Sequence, residues 1–260
     1  MKQLIICLSF LALLIACKKE NPLYNGKVTL VFSHKVDTSV LVTNVLKYEN
    51  AAGNVYEIDD LKYFISDVTL YHGGESVIID NEKAIHYIDI SIPATLRWDV
   101  YDPIPTGSYD SISFIFGLSE TRNLSNIFLN FPEVNMFWPQ VLGGGYHYMM
   151  MNGKWRKPDN IISSFNFHLG KGQIYSGNTH NTDSIISFVH NCFRVSLPNS
   201  SFEIKKDITT DIEIEMNINS WFITPHIYDH NYWGSGIMQN QEALNTAKEN
   251  GWDVFRVITQ

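Results

Sequence analysis

Apolar and polar residues alternate with a period of two along most of this chain, the signature of half-buried β-strands. In Val28-Thr29-Leu30-Val31-Phe32-Ser33-His34, one face carries Val28, Leu30, Phe32 and His34. The clearest run lies near the C-terminus. There Ile208, Thr210, Ile212, Ile214, Met216 and Ile218 share one face, and Asp211, Glu213, Glu215 and Asn217 the other. Residues 41–48 and 55–58 flank a hairpin-like turn, Asn50-Ala51-Ala52-Gly53-Asn54. Further strands are expected at 63–71, 77–79, 86–90, 111–116, 146–151, 161–168, 185–189 and 193–197. Many short strands punctuated by Gly, Asn, Asp and Pro predict an all-β fold, an antiparallel β-sandwich. One short C-terminal helix is expected over 239–250, capped by Asn240 and stopped by a left-handed Gly251.

The N-terminus breaks this pattern. Met1-Lys2 precedes an apolar run that ends in Leu14-Ile15-Ala16-Cys17. The run is too short to span a bilayer and reads as a secretory signal over residues 1–16. Its ending resembles a bacterial lipobox, in which the cysteine is lipidated and becomes the new N-terminus. Cys17 is thus the expected lipidation site, residues 17–26 a tether, and residues 27–260 a single β-rich domain. Acyl chains contribute about 0.8 kcal/mol per buried methylene, so several of them make a lasting anchor. The expected address is the cell envelope, on the periplasmic or outer-membrane side, with the membrane itself as a partner.

Charge narrows the partners further. The 260 residues carry 19 basic and 27 acidic side chains, a net charge of −8. That excess argues against nucleic acid, which demands a basic face. Of three cysteines, Cys7 leaves with the signal and Cys17 carries lipid, so Cys192 has no partner for an internal disulfide. Nucleophile elbows, Walker loops, dinucleotide fingerprints and His-Glu-x-x-His motifs are missing, and a non-enzymatic protein is expected.

Histidine is the conspicuous chemistry, with nine in the chain. Imidazole suits copper, zinc, nickel and iron. His34, His147 and His168 sit near the ends of strand-like stretches and are expected to converge as metal ligands at one rim, with His86 in reserve. The segment 136–149 crowds Trp138, Tyr146, His147 and methionines around Gly143-Gly144-Gly145. Thioether and imidazole together favour copper. Met149, Met150 and Met151 must alternate faces. An alternative is a surface lipoprotein that stacks an organic ligand or glycan on an aromatic rim of Trp98, Trp138, Tyr146, Trp221 and Trp233.

Trp138-Pro139 followed by Gly143-Gly144-Gly145-Tyr146-His147-Tyr148-Met149 resembles the central motif of the MbnP-like family, envelope proteins named for a methanobactin-associated copper-binding protein. Colinear segments extend the likeness from Leu61-Lys62-Tyr63-Phe64 through Phe167-His168-Leu169-Gly170 to Gly251-Trp252-Asp253-Val254-Phe255. The resemblance implies a β-sandwich that binds copper through histidines, for copper acquisition or handling. In relatives, a tryptophan oxidised to kynurenine by a dihaem partner joins the site. By motif position Trp138 corresponds to that tryptophan, and His147 and His168 are the nearest motif histidines.

Overall fold

The computed structural model describes residues 24–80, 84–177 and 180–258. Among them, an eight-stranded and a six-stranded sheet form the body, with two small two-stranded ribbons. The strands that position the site are, in chain order, β1 (Asn25–Val36), β2 (Val55–His72), β3 (Ile85–Asp89), β4 (Arg97–Asp99) and β5 (Ser111–Phe116). They continue as β6 (Met149–Arg156), β7 (Ile162–Leu169), β8 (Phe193–Leu197), β9 (Thr209–Asn217) and β10 (Phe255–Ile258). Two helices follow β9, the single turn α1 (His230–Trp233) and α2 (Gln241–Asn250).

The long strand β2 organises the larger sheet. Tyr63 is paired with Met149 of β6 on one edge and with Ile88 of β3 on the other. Further along, β5 takes over the edge that β6 leaves, and β7 and β8 extend the sheet outward. In the smaller sheet β1 lies between β9 and β4, with Leu30 opposite both Ile212 and Trp98. The β1–β9 pair is parallel, the one departure from antiparallel order among the named strands. It is possible because the intervening chain has built the other sheet before returning, so no tight hairpin constrains the direction.

The alternating faces meet as expected. Val28, Leu30 and Phe32 of β1 and Ile212, Ile214 and Met216 of β9 are buried, as are Leu61, Tyr63 and Ile65 of β2 and Phe114 and Phe116 of β5. Phe255 of β10 bridges the sheets, with its ring centre 6.2 Å from Tyr63, 5.3 Å from Phe114 and 5.6 Å from Phe116. Each such apolar side chain contributes roughly 1.5–3 kcal/mol on burial, which makes this interface the main source of stability.

Helix α2 begins where Asn240 accepts a hydrogen bond from the Ala243 amide at 3.1 Å, and it buries Ala243, Leu244 and Ala247. Gly251 differs from expectation. It is right-handed, with φ −65°, and opens a 3-10 turn. Glycine is needed for space, since a Cβ there would run into the Phe193 ring.

Three boundaries also differ. Strand β1 begins at Asn25, inside the expected tether, where Asn25 and Gly26 pair with Pro105 and Ile104. Residues 41–48 form no continuous strand; only Tyr48–Glu49 joins β2, and Asn44 takes a left-handed φ of 59°. Strand β6 starts at Met149, since Tyr146 bridges back to Phe137 instead. The signal, Cys17 and the tether up to residue 23 lie outside the described residues. Among the described residues, no helix is long and apolar enough to cross a membrane.

Candidate metal centre

The glycine-rich motif is a closed loop whose two arms bring Trp138 and His147 side by side. Phe137 and Tyr146 form an antiparallel bridge. The Trp138 amide donates to the Gly145 carbonyl at 2.8 Å, and the His147 amide donates to the Met136 carbonyl at 2.7 Å. A 3-10 turn over Gln140–Leu142 fills the tip. Gly143, Gly144 and Gly145 then reverse the chain with φ values of 110°, 61° and 83°. Glycine takes such conformations without strain, and a Cβ at each position would lie within 2.6 Å of Lys171, Ser125 or Asn123, which accounts for three glycines in a row.

Trp138 is fully buried, and its indole N–H donates to the Leu142 carbonyl at 3.1 Å. The His147 ring stands edge-on to it, with centres 4.6 Å apart. A Cβ on Gly170 would sit 2.5 Å from the indole, so that glycine is what lets the tryptophan seat beside β7.

His168 comes from β7. It lies opposite Met150 of β6, which lies opposite Lys62 of β2. Directly opposed residues share a face, so Lys62, Met150 and His168 form one row on the outer face of the large sheet. Tyr63, Met149 and Leu169 form the neighbouring row on the inner face. The loop carrying Trp138 and His147 covers the outer face, where Phe64 stacks on Phe128 at 5.3 Å.

There the two histidines meet. Their ring centres are 5.1 Å apart and their planes nearly perpendicular, at 86°. Each has one nitrogen engaged and one open. His147 Nδ1 donates to the Met136 carbonyl at 3.0 Å, and His168 Nε2 donates to the Asn152 Oδ1 at 2.8 Å. His147 Nε2 and His168 Nδ1 are buried with no hydrogen-bond partner. Carbonyl oxygens only accept, so the engaged nitrogens carry the protons and the open ones present lone pairs. Burial lowers His147 to about 4, against the pull of its backbone hydrogen bonds. His168 falls to about 3, through burial first and then the neighbouring His147 and Lys62. Both rings are therefore neutral at pH 7.

The expected trio does not form. His34 shares the inner face of β1 with Leu30 and Phe32, and its Nε2 meets the Tyr63 hydroxyl at 3.1 Å. Tyr63 points to the inside of the large sheet, so the sheet itself separates His34 from His168. His86 pairs with Ile65, also on the inside. Its ring stacks on Trp98 at 5.0 Å and its Nε2 bonds the Thr95 carbonyl at 2.8 Å. Among the described residues, no set of three His, Cys, Asp or Glu side chains gathers as a metal cluster. Of the five residues expected on an aromatic rim, Trp98, Trp138, Tyr146 and Trp221 are buried and offer no stacking surface to a ligand, and Trp233 is half-buried.

Asn152 and Met136 were not visible as site residues in the sequence, because both act through atoms that only folding aligns. Met150 was half visible, in the alternation of three methionines. Cys192 is half-buried, and burial pushes its thiol up.

A solved structure, MbnP from Methylosinus trichosporium, shares this fold. It is 15% identical with a TM-score of 0.55, over 90% of this chain and 98% of that one. No curated protein matches the chain by sequence. The sequence profile of the MbnP family matches residues 25–240, well over half of the length, and the chain belongs to the MbnP family.

Proposed function

We propose that this chain is a copper-binding protein of the cell envelope, held to a membrane by lipid on Cys17 and acting in copper acquisition or handling without catalysing a reaction. The observation that carries the reading is the pair of facing imidazoles, His147 and His168, each with an open nitrogen and a second nitrogen tied to a carbonyl oxygen. Metal-binding histidines characteristically donate their other N–H in this way, which fixes the tautomer and raises ligand basicity. The spacing also fits. With metal–imidazole bonds of roughly 2 Å, ligating rings that meet at right angles or wider have centres about 4.5–6 Å apart, and here they are 5.1 Å apart.

Trp138 as it stands adds no ligand, since an indole nitrogen only donates. The family resemblance supplies a reason for its place against His147: oxidation to kynurenine by a dihaem partner would give it lone pairs beside the pair.

Copper titration with elemental analysis of the purified chain tests the reading. Wild type is expected to hold one copper per chain at micromolar concentration, and His147→Ala or His168→Ala to lose it. His72→Ala, which alters an exposed ring bonded to the Ser108 carbonyl, is expected to leave binding unchanged. No stoichiometric copper on wild type, or equal losses in all three variants, would overturn it.

A further inference from the structure

Two imidazoles alone leave a metal short of donors. Among the described residues no third His, Cys, Asp or Glu converges on them, so any further protein ligand must come from another residue type. The row on the outer face of the large sheet provides one. Met150 stands directly opposite His168 across the β6–β7 ladder, and such opposed pairs hold their Cβ atoms about 4.5–5.5 Å apart. Met149 and Met151 are fully buried on the inner face, whereas Met150 is only half-buried on the side of the histidines. Of three consecutive methionines, one shares the site's face.

Its neighbours are poorer donors. Lys62, on the other flank of Met150, is an ammonium without a lone pair, and it is paired with Asp60 at 2.9 Å. The Asn152 oxygen is occupied by His168 Nε2.

We propose that the Met150 thioether is the third protein donor beside His147 and His168, and that it makes the site select soft monovalent metal, Cu(I) or Ag(I), over Zn(II). This rests on the His147–His168 reading above. The chemistry follows from the donor set. Thioether sulfur favours Cu(I) over harder ions. The three ligands are neutral, and the nearby Asp60 carboxylate is engaged by Lys62 and Asn152, whereas zinc sites commonly recruit thiolate or carboxylate.

The test uses the full chain and Met150→Leu, a volume-conserving change that cores tolerate well. Cu(I) and Ag(I) affinities are measured by competition with a chromophoric chelator under reducing, oxygen-free conditions, and Zn(II) in parallel. Met150→Leu is expected to weaken Cu(I) and Ag(I) at least tenfold and leave Zn(II) unchanged. X-ray absorption of the Cu(I) form should show a sulfur neighbour in wild type that the variant lacks. Wild-type Cu(I) affinity in the variant, or no sulfur neighbour in wild type, would overturn the role of Met150 and leave the two-histidine site standing. Loss of copper binding in neither Met150→Leu nor His147→Ala would overturn the two-histidine reading itself, and this inference with it.

Discussion

Asn152 shows how much of the site depends on side chains that would never touch a metal. Its amide oxygen accepts from His168 Nε2 and thereby leaves the lone pair on Nδ1, which is buried without a partner. Asn152→Leu removes that acceptor from a position on the outer face. We expect copper affinity to fall about 10–100-fold, the usual effect of losing such a supporting partner, with an unchanged far-ultraviolet circular dichroism spectrum. Undiminished affinity would mean that packing alone orients the ring. The sequence singled out His147 and His168 by their places near strand ends and in the motifs that resemble the family. His34 was expected beside them because its own face was legible, while nothing in the sequence tells that it meets Tyr63 on the inner side of the large sheet. Period-two patterning tells which residues share a side of one strand, and it says nothing about which sides of two distant strands are turned toward each other.

At the level of elements, the reading was best where a strand pairs on both edges or ends in a turn. Strands at 111–116, 185–189 and 193–197 appear with those bounds. The segment 41–48 failed because alternation alone does not supply a ladder partner; only its last residue finds one. The glycine loop lay between these cases. Its run of glycines and its aromatic residues stood out, but its role as a clasp joining Met136 to His147 depends on backbone bonds that leave no trace in residue identity. The clasp can be tested through Gly145, whose φ of 83° and close approach to Asn123 both resist a side chain. Gly145→Ala should cost about 1–3 kcal/mol, the range for a non-glycine residue forced into such a conformation. A lowered urea midpoint would confirm it, together with reduced near-ultraviolet dichroism from Trp138. A midpoint within experimental error of wild type would show that the loop has an alternative closure.

For the whole molecule, the unexpected residue is His230. It opens α1, is fully buried, and has neither ring nitrogen bonded. Phe165, at 4.3 Å between ring centres, and Phe222, at 5.1 Å, box it in. Burial lowers His230 and His34 to about 4, from 6.5 in an exposed chain. Between those values the unfolded chain binds protons that the folded one refuses, so stability falls as pH drops from 6.5 towards 4. The loss is about 1.4 kcal/mol per pH unit for each such imidazole at most. Urea midpoints at pH 7.5 and 5.0 should show the decline, and His230→Leu should shrink it. Identical declines in variant and wild type would clear His230 of any part in it. Tyr228 and Trp155 complete an aromatic cluster around that imidazole. What could not be read was that the helix turn would push an imidazole into its centre.

The Met136 carbonyl, finally, accepts both the amide and the ring N–H of His147. One oxygen thus latches the loop and sets the imidazole's protonation pattern in the same act. In a chain not yet closed at 136–147 the imidazole is free to take either tautomer, and only the closed loop settles which of its nitrogens keeps the lone pair.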